Sequence, residues 1–355
     1  MTATTLTYER RRRLADALRS QRMRAAEYVT HEFLERHPDW RERYGDLAWE
    51  RGVEDATFHV DFLAGALESG SPQAFEQYAR WTARVLGSRG IAPTFLIENL
   101  MQLADWFETS LGEDASLVTS YIEAGCAAAR AQAEGGDDGD RLDPDRSLYL
   151  QAILAGNRTA ALNVALEALR SGMGVIDIYT ELLQPAQYEL GNLWETNRIT
   201  VAREHMATAV TQYVVAQLYG RFDLPEERRG RMIVTGVEGE MHQLGANMLA
   251  DVLEAEGWDV RFLGTQLPHR DILQAIKEHE PTIVGISATM LFNVPKVSSL
   301  IGDVRLRYGS DVRIILGGAA FRFSGNLWRD LGADGFGKDL HEGIALVDRL
   351  TTSMN

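Results

Sequence analysis

The sequence predicts a multidomain α plus α/β protein: two all-helical regions, then a doubly wound parallel sheet. Three observations predict it. Apolar residues recur at helical spacing as far as Phe222, short continuous apolar runs alternate with helical stretches from Met232 onward, and breaker-rich segments separate the regions.

Residues 1–136 read as helices throughout, with apolar positions at Leu14, Leu18, Val29 and Phe33 and again at Phe95, Leu96, Leu100, Leu103 and Phe107. Breaks fall at His37-Pro38-Asp39, at Gly70-Ser-Pro72, and at Gly87 to Gly90 before Pro93. Gly135 to Asp140 is acidic and glycine-rich and, with Pro144, reads as the main linker. Helical periodicity resumes over 147–222 in four segments, separated near Gly156-Asn157, Gly172 to Gly174 and Asn197-Arg198, the size of a small four-helix bundle. Pro225 to Gly230 reads as a second linker.

From 231 to 355 the period changes. Met232–Thr235, Asp259–Leu263, Thr282–Ser287 and Val312–Leu316 read as buried strands, with a short one near Gly335-Phe336 and a helix over Gln243–Glu256. Continuous apolar strands between helices imply a parallel sheet covered on both faces, with ligands at its C-terminal edge.

The chain has 355 residues, 45% of them hydrophobic, enough for two or three cores. A net charge of −15 argues against a nucleic-acid partner, and the short basic run Arg10 to Arg13 reads as a solvated helix face. The only lysines are Lys277, Lys296 and Lys338, so a carboxylate bound by the first two regions has only arginine to pair it. A single cysteine, Cys126, excludes an intrachain disulfide and a cysteine-based zinc cluster. With no signal peptide or membrane span visible, the expected location is the cytoplasm, with no membrane partner.

Three short motifs stand at strand ends. The first is Glu238-Gly-Glu240-Met-His242-Gln-Leu-Gly245, the second Ser287-Ala-Thr289, the third Gly317-Gly318. In this order they resemble the cobalamin-binding signature of methionine synthase, the cobalamin mutases and the CarH-type light receptors, which implies a Rossmann-like cobalamin domain. By that resemblance His242 displaces the cofactor's own dimethylbenzimidazole and becomes the lower axial cobalt ligand. Glu240 then accepts from its other ring nitrogen. The family usually carries Asp there, so the longer Glu makes this contact either directly or through a water. Gly245 leaves room for the nucleotide tail at a tight turn, Ser287 hydrogen-bonds the buried benzimidazole, Thr289 is a second polar lining group, and Gly317 and Gly318 let the backbone approach the tail. The plainer reading is an ordinary α/β domain with a strand-end histidine.

In the bundle, Trp194 precedes Glu204-His205 in a Trp-x9-Glu-His pattern. It resembles the cap of CarH-type photoreceptors, which implies that Trp194 packs over the adenosyl group of adenosylcobalamin and that Glu204 hydrogen-bonds it. His205 then takes the upper cobalt position once light has broken the cobalt–carbon bond. Otherwise Trp194 is a core residue and Glu204-His205 a solvated pair.

The whole layout resembles the photocobilins, in which a globin-like helical domain holds biliverdin beside the cobalamin. That resemblance implies a bilin site, for which Tyr78, Arg80, Trp81 and Arg84 offer aromatic walls and two arginines one turn apart, with His59 and Trp106 as further candidates. Each also reads as ordinary core or surface, and Cys126 as a small buried residue rather than an attachment point. The expectation is therefore a non-enzymatic photoreceptor with adenosylcobalamin and biliverdin, signalling through a light-dependent homo-oligomer or an unknown effector. The alternative is a corrinoid methyl-carrier protein whose N-terminal domain docks a methyltransferase.

Overall fold

The computed structural model describes residues 6–134, 144–322 and 325–352. The linker expected at Gly135–Asp140 lies outside them. The chain divides into two compact units: one of residues 1–136 with 290–295 and 320–330, the other of residues 137–289, 296–319 and 331–355.

The first unit is helical: Tyr8–Arg36, Pro38–Tyr44, Leu47–Ser69, Pro72–Ser88, Pro93–Ser110 and Ala115–Glu134. Its breaks follow the residues that force them. Pro38, Pro72 and Pro93 each open a helix, where a missing N–H costs nothing, and Ser71 caps its helix by accepting from the Ala74 N–H. The core runs through Leu18, Leu63, Leu67, Phe75, Leu100, Leu103 and Phe107, all fully buried. Each such side chain contributes roughly 1.5–3 kcal/mol relative to exposure.

In the second unit, Pro144–Leu154, Arg158–Arg170, the run from Val175 to Glu195, and Val201–Tyr219 make the four helical segments of the bundle. Asn157 and Thr200 cap two of them through the backbone N–H groups of Ala160 and Arg203. The third segment contains a π turn over Ile178–Leu183, just before Pro185, with the Gln184 N–H donating to the Tyr179 carbonyl.

The sheet has five parallel strands in the order β2-β1-β3-β4-β5: β1 Gly230–Val237, β2 Trp258–Leu267, β3 Ile283–Ser287, β4 Arg313–Gly317 and β5 Gly335–Gly337. β2 runs well beyond the expected Leu263. It passes Gly264 at φ +79° and Gln266 at φ +63° while still paired to β1 through two register shifts. Helices Leu244–Ala255 and Leu340–Thr352 supply Ala250, Leu253, Leu346 and Val347 to the core over Met232, Val234 and Ile315.

The bundle packs on these two helices through Met248, Val252 and Leu340. The π turn brings Tyr179 to the junction, where its hydroxyl donates to Asp251 at 3.1 Å. Burial pushes the Asp251 carboxyl up to about 7; the bond from Tyr179 opposes this and the charge of Glu254 adds to it. A folded-state carboxyl raised above its unfolded value of 3.8 binds extra protons in the native state between about pH 4 and 7. Stability from this group is therefore highest near pH 4 and lost as the pH rises through 7. Thermal unfolding of Asp251→Asn against pH is expected to show a flatter dependence across that window than the parent. Identical slopes would remove Asp251 as the cause.

Candidate functional site

The order β2-β1-β3 makes the gap between β1 and β3 the topological switch point, where open α/β sheets bind ligands outside the strand C-termini. The loop after β1 carries Glu240 and His242, and the end of β3 carries Ser287 and Thr289. Gly317 closes β4 beside Ser287 in register.

Glu240 is fully buried, and both its oxygens are used. Oε1 accepts from the His242 backbone N–H at 2.9 Å and meets His242 Nδ1 at 2.7 Å, while Oε2 accepts from the Thr289 backbone N–H at 2.7 Å. The contact with the histidine is thus direct, with no need of a bridging water. Burial alone would raise this carboxyl's pKa. The bonds from the His242 ring, the His242 N–H and the Thr289 N–H together outweigh it and bring the pKa down to about 2. An ionised acceptor at Nδ1 makes that nitrogen the N–H tautomer and leaves the Nε2 lone pair for a metal. The ring itself is 58% exposed. Beside it Met241 is an exposed apolar side chain at 70%.

The glycines divide by what a Cβ would meet. At Gly245 nothing lies within 4 Å, and at Gly317 only the Gly337 carbonyl at 4.0 Å, so both leave open space for a ligand. Gly245 lies in the first turn of the helix Leu244–Ala255 and is not among the glycines with positive φ. Gly318 is different. Its φ is +97° and a Cβ would stand 2.2 Å from the Ala288 carbonyl oxygen, so this glycine serves the close approach of two protein loops. The Ala288 N–H donates to the Gly317 carbonyl at the same crossing.

Two residues that hold this loop carried no signal in the sequence. Gln266 Oε1 accepts from the Gly239 N–H at 2.9 Å, and Lys296 Nζ donates to the Glu238 carbonyl at 2.8 Å. Among the described residues there is no group of three or more His, Cys, Asp and Glu able to hold a metal ion. A metal that arrives inside a macrocycle needs only one protein ligand. A corrinoid therefore fits the residues present: one histidine with a free Nε2, its tautomer fixed by a buried carboxylate, and two glycines that leave the switch point open.

On the bundle, Trp194 is half-buried against the core. Glu204 Oε2 meets His205 Nδ1 at 2.6 Å, and Glu204 Oε1 accepts from the Thr208 hydroxyl at 2.9 Å. Gln187 continues the network, with Oε1 in reach of Thr208 and Nε2 donating to the buried Thr211. His205 stands at 67% exposure.

These observations, a corrinoid-compatible histidine at the switch point and a bundle packed on the same sheet, are matched by known families. Residues 230–345 match the B12 binding domain. A second family model with the same description, B12 binding domain, matches residues 147–219. The chain is similar to dimethylamine corrinoid protein 3 of Methanosarcina acetivorans, 27% identical over 191 residues, 52% of this chain and 87% of the relative. It is likewise similar to dimethylamine corrinoid protein 1 of Methanosarcina mazei, 26% identical over 208 residues, 56% and 93% of the two chains. Among solved structures, the Methanosarcina barkeri monomethylamine corrinoid protein is 21% identical with a TM-score of 0.49, covering 56% of this chain and 96% of that one.

These relatives overturn the light-receptor expectation. The two relatives are dimethylamine corrinoid proteins by name, not light receptors, and the adenosyl group, the photolysis step at His205 and the biliverdin fall with that expectation. The residues expected to line a bilin site are engaged in the helical unit itself. Tyr78 is buried, stacks on Phe62 at 3.9 Å and meets His59 Nδ1 at 2.6 Å. Burial brings the His59 pKa down to about 4 and raises that of Tyr78. Trp81 lies tilted 6.2 Å from Tyr78, and Arg84 on the same helix is half-buried. Arg80 pairs with Glu76 one turn away at 3.1 Å. Trp106 sits elsewhere, against Tyr28, with its indole N–H on Gln21. Cys126 is buried, and burial pushes its thiol up to about 11, the behaviour of a packed small residue. No described helix is long and apolar enough to cross a membrane.

Proposed function

We propose that this chain is a corrinoid methyl-carrier protein that works with a separate methyltransferase and is not itself an enzyme. The observation that carries the reading is the buried Glu240 carboxylate fixing His242 at the β1–β3 switch point. The similarity to dimethylamine corrinoid proteins supports the methyl-carrier role over other uses of the same site.

In this reading His242 Nε2 would be the ligand that holds the cobalt, with Glu240 fixing the orientation of the imidazole through Nδ1. Ser287, Thr289, Gly245 and Gly317 line the path of the nucleotide tail, and Gly318 shapes it by setting the loop crossing. The bundle over 147–222 covers the upper face, with Trp194 and the Glu204–His205 pair on that side. The first unit, globin-like in its helical layout, is the docking module for the methyltransferase. The bound group supplies cobalt as the site on which a methyl group is carried.

The test is to identify the cofactor and its exchange. The protein purified from cells and reconstituted with hydroxocobalamin should take up one corrinoid. After reduction with titanium(III) citrate it should accept a methyl group from methyl iodide and give it up to a thiol acceptor in the presence of methyltransferase partners. Recovery of an adenosyl cofactor whose loss on illumination changes the oligomeric state would sink the proposal.

A further inference from the structure

The loop that carries Glu240 and His242 is held from the end of β2 by a residue in a left-handed backbone conformation. Gln266 has φ +63°, a left-handed conformation that is unfavourable for a residue with a long side chain. It lies near the C-terminal end of β2, past Gly264 at φ +79° and within the second of two register shifts against β1, between the pairs Thr235–Gly264 and Val237–Leu267. Bulges of this kind at a sheet edge re-aim a side chain. Here the side chain so aimed crosses to the neighbouring loop, where its Oε1 accepts from the N–H of Gly239 at 2.9 Å. Gly239 is itself at φ +87° and directly precedes Glu240. The same loop also receives a hydrogen bond from Lys296 Nζ, on the Glu238 carbonyl at 2.8 Å.

We propose that Gln266 is a positioning residue for the lower axial ligand: the left-handed bulge at the end of β2 exists to place its carboxamide on Gly239 and so fix the loop that presents His242. This rests on the reading of His242 as cobalt ligand and adds to it a residue outside the recognised motifs. Strain held at one backbone position persists where the surrounding structure determines it, and such positions concentrate at ligand sites. The carboxamide would act through the loop, by its bond to the Gly239 N–H.

The test separates strain from positioning. Gln266→Gly removes the side chain while making the left-handed backbone favourable, so the apo-protein should unfold at the same temperature or higher. Its affinity for hydroxocobalamin should nonetheless fall roughly tenfold, the scale of one lost neutral hydrogen bond. The absorption spectrum should show a larger share of base-off cofactor without a protein imidazole. Gln266→Glu, which keeps an acceptor at the same reach, should restore the imidazole-ligated spectrum. A Gln266→Gly protein with parental affinity and spectrum overturns the proposal, as does loss of binding in Gln266→Glu equal to that in Gln266→Gly. Should His242→Ala also give the parental spectrum, the ligand assignment itself is wrong and this inference falls with it. A changed His242→Ala beside an unchanged Gln266→Gly sinks the positioning role alone.

Discussion

Replacing His242 with alanine is expected to abolish ligation of the corrinoid by protein imidazole and to weaken binding by at least about 100-fold. Loss of an outer partner of a metal-bound histidine alone costs roughly 10–100-fold, and here the ligand itself is removed. The structure makes a graded companion available. Glu240 has both oxygens committed, one to His242 and one to the Thr289 N–H. In Glu240→Gln an amide NH2 must face one of those donors, leaving two N–H groups opposed in a fully buried place. That protein should keep some imidazole ligation but bind roughly 10–100-fold more weakly. Both are read by titration of hydroxocobalamin followed by visible absorption. Parental spectra and affinity in His242→Ala would refute the assignment of the ligand.

The sequence showed much of this site because the chemistry there is carried by rare residue types at strand ends. A histidine two residues after a carboxylate, between an apolar run and a helix, has few other uses, and the fold places the pair at the switch point. Helix boundaries were legible for a similar reason: Pro38, Pro72 and Pro93 have one favourable place in a helix, its first turn. What stayed hidden is conformational. Nothing in the identity of Gln266 announces φ +63°, and β2 continues to Leu267, beyond the run Asp259–Leu263 legible in the sequence.

The misreadings have a common physical source. Tyr78, Arg80, Trp81 and Arg84 look like walls and anchors because aromatics and arginines at helical spacing suit both a ligand pocket and a packed helix. The bond between Tyr78 and His59 and the pair Arg80–Glu76 show the second use. The pattern Trp194…Glu204-His205 suggests, by resemblance, contacts to an adenosyl group. In the structure the Glu204 carboxylate is taken up by its own neighbour His205 and by Thr208, a network that runs on through Gln187 to Thr211. Spacing reports which residues share a region, and it does not report which partner each has found.

Gly317 and Gly318 look equivalent in the sequence, and the structure separates them. Gly318→Ala must place a methyl group where the Ala288 carbonyl oxygen is 2.2 Å away, at a φ of +97° that alanine disfavours. The obstructing atoms are backbone, so relief requires the β3 and β4 loops to part, which also breaks the Ala288 N–H bond to Gly317. The expected cost is about 3–4 kcal/mol, the sum of backbone strain and a lost buried hydrogen bond. That corresponds to a fall in unfolding temperature of roughly 6–16 °C for a domain of 150–250 residues. Gly317→Ala meets only the Gly337 carbonyl at 4.0 Å and should leave the apo-protein's unfolding temperature within about 2 °C of the parent. On the proposed reading the nucleotide tail passes Gly317, so the defect of Gly317→Ala should appear in corrinoid affinity. Thermal unfolding of both apo-proteins and titration with hydroxocobalamin decide the matter. A Gly318→Ala protein as stable as the parent would show that the two loops need not approach as closely as they do. A Gly317→Ala protein with full corrinoid affinity would move the tail away from the end of β4.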